Sequence, residues 1–67
     1  MSVAKVSEIS ATSTKSFEDA IRVGLARATK TLRNVRSAWI KEQQVRFRND
    51  QVSDYQVNML ITFVIDD

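Results

Sequence analysis

From Tyr55 to Ile65 every second residue is apolar or aromatic: Tyr55, Val57, Met59, Ile61, Phe63 and Ile65. Side chains alternate between the two faces of a β-strand, so this row lies on one face of a single strand. The intervening Gln56, Asn58, Leu60, Thr62 and Val64 are semi-polar rather than charged. A strand with one continuous apolar face needs a layer packed against it and suits the centre of a sheet. The pattern predicts this strand over residues 52–65, and everything else in the chain has to be arranged around it.

The covering layer is a helix. Phe17, Ala20, Ile21, Gly24, Leu25, Ala28 and Leu32 recur at helical spacing. Ser16 followed by Asp19 resembles a capping box with Asp in place of the preferred Glu. Glu18 and Asp19 open the segment, while Arg27, Lys30 and Arg33 fall near its end, as the helix dipole favours. These signals predict a helix from about Ser16 to Leu32. A short strand is expected before it over residues 3–11, followed by a polar break at Thr12-Ser13-Thr14. After the helix, residues 35–48 read as a strand in which Ser37, Trp39, Lys41 and Gln43 share one face and Ala38 and Ile40 the other. The apolar set then changes parity at Val45 and Phe47, which predicts a bulge near Gln43-Gln44. Asn49-Asp50 is the turn, though without the glycine that favours the tightest hairpins.

A strand, a helix and a strand place the first two strands parallel, and the hairpin turns the third against them. An all-antiparallel sheet then requires the third strand in the middle. The expected fold is α+β, in β-α-β-β order, with a three-stranded antiparallel sheet of order 1-3-2 packed on one helix. No proline, a single glycine and no repeat point to one domain over residues 1–67. A chain of 67 residues buries little surface and needs support from disulfides, a metal or self-association. Cysteine and histidine are both absent, which removes disulfides, thiol chemistry, the commonest general base and the commonest transition-metal ligand. Self-association is the support left. The uncovered sheet face, with Trp39, Leu60 and Val64 on it, supplies the surface for it.

The order and spacing of several segments resemble the dodecin family over nearly the whole chain. They are Ala11-Thr12-Ser13, Ser16-Phe17-Glu18-Asp19-Ala20, Leu25-Ala26-Arg27-Ala28, Thr31-Leu32-Arg33-Asn34, Val52, Tyr55-Gln56-Val57 and Phe63. The resemblance implies a hollow homododecamer that binds and stores a small ligand and is not an enzyme. Its default ligand is a flavin, riboflavin or FMN, bound in pairs near symmetry axes. Flavin-binding members carry a stacking tryptophan early in the second strand, where this chain has Ser37. Gln56 matches the glutamine that meets the flavin ring edge, and Gln44 and Val64 fall where several members have arginine. A calcium-binding branch is the alternative, similar through Arg36, Ala38 and Glu42-Gln43. A structural assembly with no physiological ligand is a third reading.

The individual residues can be weighed by their chemistry. Trp39 shares a face with Ser37 about 7 Å away along the strand and could offer a shifted aromatic platform. Against that, it could fill the ligand's space or pack between subunits. Gln56 could read an amide edge with its paired donor and acceptor, or bond within an interface. The candidate ligand-binding residues are therefore Ser37, Trp39, Gln44 and Gln56. Arg22, Arg27, Lys30 and Arg33 could meet phosphates, though basic residues on an exposed helix face are usually solvated. Ten basic against eight acidic residues, with no interleaved aromatics, make nucleic acid a poor partner. The carboxylates Glu8, Glu18, Asp19, Glu42, Asp50, Asp54, Asp66 and Asp67 form no EF-hand loop, so no metal ligand is assigned. No segment is long and apolar enough to span a bilayer, no signal-peptide core stands at the N-terminus, and a cytoplasmic location is expected.

Overall fold

A computed structural model describes residues 3–65. Its elements are β1 (Ala4–Ser13), α1 (Phe17–Thr31), β2 (Val35–Arg48) and β3 (Gln51–Val64). The three strands form one antiparallel sheet in the order β1-β3-β2, as expected. The helix lies over β1 and β3. Beneath it Val57, Met59 and Ile61 of β3 are completely buried together with Ala20 of the helix, and Ala28 completes the core. That is the alternating row read from the sequence, now in the middle of the sheet.

The helix begins where the Ser16 side chain accepts a hydrogen bond from the Asp19 N–H at 3.0 Å. Only this half of the expected capping box forms. The Asp19 carboxylate does not turn back to the Ser16 N–H; it accepts the Ser13 hydroxyl at 2.7 Å and the Arg22 guanidinium at 2.6 Å. Ser13 in turn accepts the Lys15 N–H at 2.9 Å. β1 therefore does not stop at Ala11: Thr12 and Ser13 continue the ladder as far as Tyr55, and the supposed polar break is its last pairs. Along β1 the exposed and half-buried residues alternate cleanly, but two inward positions are Ser7 and Ser13, which hid the pattern in the sequence.

Gly24 sits where helix and sheet approach closely. A Cβ there would lie 2.5 Å from the Met59 Cε and 3.0 Å from the Ala11 Cβ, so a side chain requires the Met59 methyl to move aside and Ala11 to yield slightly. After the helix Asn34 takes a left-handed φ of 60° and starts β2. The β2–β3 hairpin closes on Arg48 and Gln51. Its two turn residues, Asn49 and Asp50, have φ of 54° and 64°, the pattern of a type I′ turn that Asn and Asp tolerate in place of glycine.

The bulge expected near Gln43-Gln44 lies elsewhere. Ile40 faces Met59 and Glu42 faces Asn58, so the extra residue is Lys41. A second irregularity falls between Val35 and Ser37, and a third between Arg46 and Phe47, where β3 takes the extra residue. The shift at Lys41 changes the faces downstream. Gln43 pairs with Val57 and turns to the helix side with Ala38 and Ile40; Glu42 and Gln44 join Ser37 and Trp39 on the open side.

Candidate functional site

The sheet face away from the helix is built of cross-strand rows. From one end they read Val6–Thr62–Ser37, Glu8–Leu60–Trp39, Ser10–Asn58–Glu42 and Thr12–Gln56–Gln44, followed by the pair Asp54–Arg46. The sequence-selected Gln44 and Gln56 are therefore direct neighbours. Trp39 stands two rows from them and Ser37 three. Six residues of β3 separate the Ser37 and Gln56 rows, about 20 Å at strand rise. One flat ring cannot touch both on the same chain. A ligand that meets both residues must be held by two copies. Val64 lies beyond these rows, paired with Ala4.

Trp39 is 69% exposed, so within one chain its indole is packed on almost nothing. Ser37 is exposed as well. Both readings of Trp39, platform or interface plug, require a second molecule against this face. Val6 is also exposed on it, and Leu60 is half-buried.

Below the tryptophan row the chemistry turns polar. Glu42, Gln43, Gln44, Gln56 and Asn58 line an open concavity of about 480 Å³. A directed set of hydrogen bonds crosses its floor. The Asn58 Nδ2 donates to Glu42 Oε1 at 2.8 Å, and the Gln56 Nε2 donates to Asn58 Oδ1 at 3.3 Å and to the Ser10 hydroxyl at 2.9 Å. A primary amide carries two hydrogens. Both of Gln56's are therefore spent within the chain, and only its carbonyl oxygen is left for a ligand. The paired donor and acceptor expected of Gln56 reduce to an acceptor. The bonding of this row was not legible in the sequence, because Ser10, Glu42 and Asn58 are brought together only by the β1-β3-β2 order and the bulge at Lys41.

The charges around this concavity are mostly compensated. Lys41 reaches across the sheet to Glu8 at 3.3 Å. Arg46 grips Asp54 with two parallel bonds, 2.7 Å from Nε and 2.9 Å from Nη2. That guanidinium holds the Asp54 carboxyl below its ordinary value, and Asp54 in turn raises Arg46. At the helix start, the Ser13 hydroxyl and then Arg22 lower Asp19 in the same sense. Of the helix cations, Arg22 is thus engaged, while Arg27 borders a different hollow. This second concavity, about 440 Å³, runs between α1 and β1 over Ile9, Ala11, Gly24 and Ala28. It is mainly apolar and gathers none of the four candidate ligand-binding residues. Among the described residues no group of three carboxylates could hold a metal ion; Asp66 and Asp67 lie outside the described residues. No helix of the structure is long and apolar enough to cross a membrane.

Comparison with known proteins points in one direction. The family model described as Dodecin matches residues 3–66. The solved dodecin from Streptomyces davaonensis is 30% identical with a TM-score of 0.92, covering 98% of this chain and 97% of that one. The tt0972 protein from Thermus thermophilus is 34% identical with a TM-score of 0.92, covering 100% of this chain and 98% of that one. A tryptophan-to-phenylalanine mutant of the T. thermophilus dodecin matches at 34% identity and a TM-score of 0.92, covering 100% of each chain. No curated protein matches.

Proposed function

The chain belongs to the dodecin family, and we propose that it is the subunit of a closed, hollow homo-oligomer, a dodecamer, that binds and stores a small flat ligand and catalyses no reaction. The observation that carries this reading is the open sheet face. It holds an indole 69% exposed beside a polar concavity, over a core that among the described residues has only five buried hydrophobic members. A domain this thin gains too little from its own burial and is stabilised by covering that face. The 20 Å separation of the Ser37 and Gln56 rows supports a ligand site shared between copies rather than contained in one. The cytoplasm is the proposed location.

Flavin is the default ligand, held weakly. With Ser37 where a stacking tryptophan is expected, one aromatic face is lost, about 1 kcal/mol beyond its area, or roughly fivefold in affinity. A bound pair loses two such faces. Gln44 and Val64 supply no cation. Calcium remains the alternative ligand class. It would have to be held by carboxylates repeated around a symmetry axis, because the described residues of one chain gather no such cluster.

Sedimentation velocity of dilute protein is expected to show one large closed species. A stable folded monomer would sink the reading. On the same sample, purified without added ligand, a visible spectrum and elemental analysis separate the ligands: flavin gives a yellow protein, calcium a colourless one with stoichiometric metal. Titration with riboflavin or FMN is expected to give weak quenching or none. Tight quenching would mean that Trp39 has taken over the platform.

A further inference from the structure

We propose that Glu42 fixes the polarity of the open-face concavity, so that it selects a flat heterocycle whose edge presents N–H donors and carries no negative charge. This rests on the reading that the open face is the ligand site. It departs from the flavin default in what the site recognises.

The argument starts from the carboxylate, which can only accept. Glu42 Oε1 takes the Asn58 amide nitrogen at 2.8 Å, which points the Asn58 oxygen toward Gln56. Gln56 then donates to that oxygen at 3.3 Å and to Ser10 at 2.9 Å. The row is directional, with its negative end at Glu42. What it leaves facing the concavity is the second Glu42 oxygen and the Gln56 carbonyl, beside the second N–H of Asn58 and the amide of Gln44, and the one charge among these lining residues is the Glu42 carboxylate. Local charge adds to this. Lys41 is engaged with Glu8 and Arg46 with Asp54, so Glu42 is the carboxylate of these rows without a cationic partner. Gln44, directly opposite Gln56, is neutral.

Such a site matches an edge of amino groups. It disfavours an imide edge, in which one N–H is flanked by two carbonyl oxygens, because one of those oxygens would face the uncompensated Glu42 carboxylate. Specificity by repulsion of this kind needs no tight contact to the favoured ligand. A flavin presents the imide edge. A diaminoacridine presents two amino groups on a tricycle of similar shape and is a cation at neutral pH.

The test titrates the assembled protein with proflavine and with riboflavin, reading dye fluorescence, for the wild type, Glu42→Gln and Glu18→Gln. Glu18 sits in the first turn of the helix, away from the sheet's open face, and its substitution changes the net charge equally. Sedimentation checks that each variant keeps the wild-type assembly. The wild type is expected to bind proflavine more tightly than riboflavin. Glu42→Gln should weaken proflavine by roughly tenfold, the size of a lost charge-assisted bond, and leave riboflavin unchanged or tighter. Glu18→Gln should leave both dyes within about twofold of the wild type. The proposal is overturned if proflavine does not bind the wild type, if Glu42→Gln leaves its affinity unchanged, or if Glu18→Gln weakens it equally. Riboflavin reports separately on the default ligand. Binding of riboflavin without proflavine defeats the polarity argument alone, and failure of both dyes defeats the small-ligand reading as well.

Discussion

Met59→Ala is expected to remove about 2–5 kcal/mol of stability, about half of what a chain of this size holds at roughly 0.05–0.15 kcal/mol per residue. Met59 is completely buried and sits mid-sheet, paired with Ile9 on one side and Ile40 on the other. Its Cε reaches into the space left by the missing side chain of Gly24, 2.5 Å from where a Cβ would stand. Truncation opens a cavity under the helix that neither backbone can close. Urea denaturation followed by far-ultraviolet circular dichroism would measure the loss, and a cost below about 1 kcal/mol would contradict this account of the core. A companion substitution sharpens it. Gly24→Ala alone should forfeit the gain of about 1 kcal/mol that helix propensity offers, because the buried Met59 methyl has to be displaced. Introduced into Met59→Ala, the same methyl group enters vacated space and should recover part of the loss. The 3.0 Å approach to Ala11 keeps that recovery incomplete. The two sites are therefore expected to be coupled, not additive.

The second large effect concerns position 37. Ser37 and Trp39 pair with Thr62 and Leu60 and point to the same face, about 7 Å apart. If the indole of Trp39 fills the space between copies, Ser37→Trp adds a second large ring where none fits. The single substitution should then lower stability by about 1–3 kcal/mol and bind no riboflavin. Trp39→Ala alone clears the space but leaves no platform. The double variant, Ser37→Trp with Trp39→Ala, should gain up to about thirtyfold in riboflavin affinity over the wild type, two stacking faces at roughly fivefold each. Tight binding by Ser37→Trp alone would refute the filled pocket. No gain in any of the three would mean that the flavin site is lost for reasons other than the absent platform.

The parts of the fold that were legible in the sequence were those that bury apolar surface with a fixed period. β3 announces itself by alternation, α1 by its 3.6-residue spacing and its Ser16 cap, and the order of strands follows from the strand directions that the helix and the hairpin impose. What escaped was decided by contacts without a hydrophobic signature. β2 is exposed along most of its length, so its side chains carry little parity information, and the extra residue at Lys41 is marked by neither glycine nor proline. The far end of β1 looked like a loop because Thr12 and Ser13 are polar, yet Ser13 is buried against Asp19, six residues away and outside any capping motif. Of the site, Trp39 and Gln56 were read onto the open face; Gln43 was expected beside them but turns to the helix side, and it is Gln44 that takes that place. The spent donors of Gln56 were not visible, since they depend on Ser10 and Asn58 from two strands.

The central position of β3 also sets when its two edges are satisfied. One edge is satisfied locally, by a hairpin whose turn is two residues long. The other waits for β1, whose pairs run as far apart in the chain as Ala4 with Val64. Local hairpins close before pairings of such separation, because loop-closure entropy delays the latter. Pulse-labelled hydrogen exchange during refolding is expected to find the amides between β2 and β3 protected first and those between β1 and β3 last. Simultaneous protection of both would argue for a single concerted step. During that interval β3 shows a bare edge and the row Val57, Met59 and Ile61 at once, the combination by which strands of different molecules recruit one another. Crowding of nascent chains is thus the hazard that the β1-β3-β2 order carries, and prompt arrival of the N-terminal strand is what removes it.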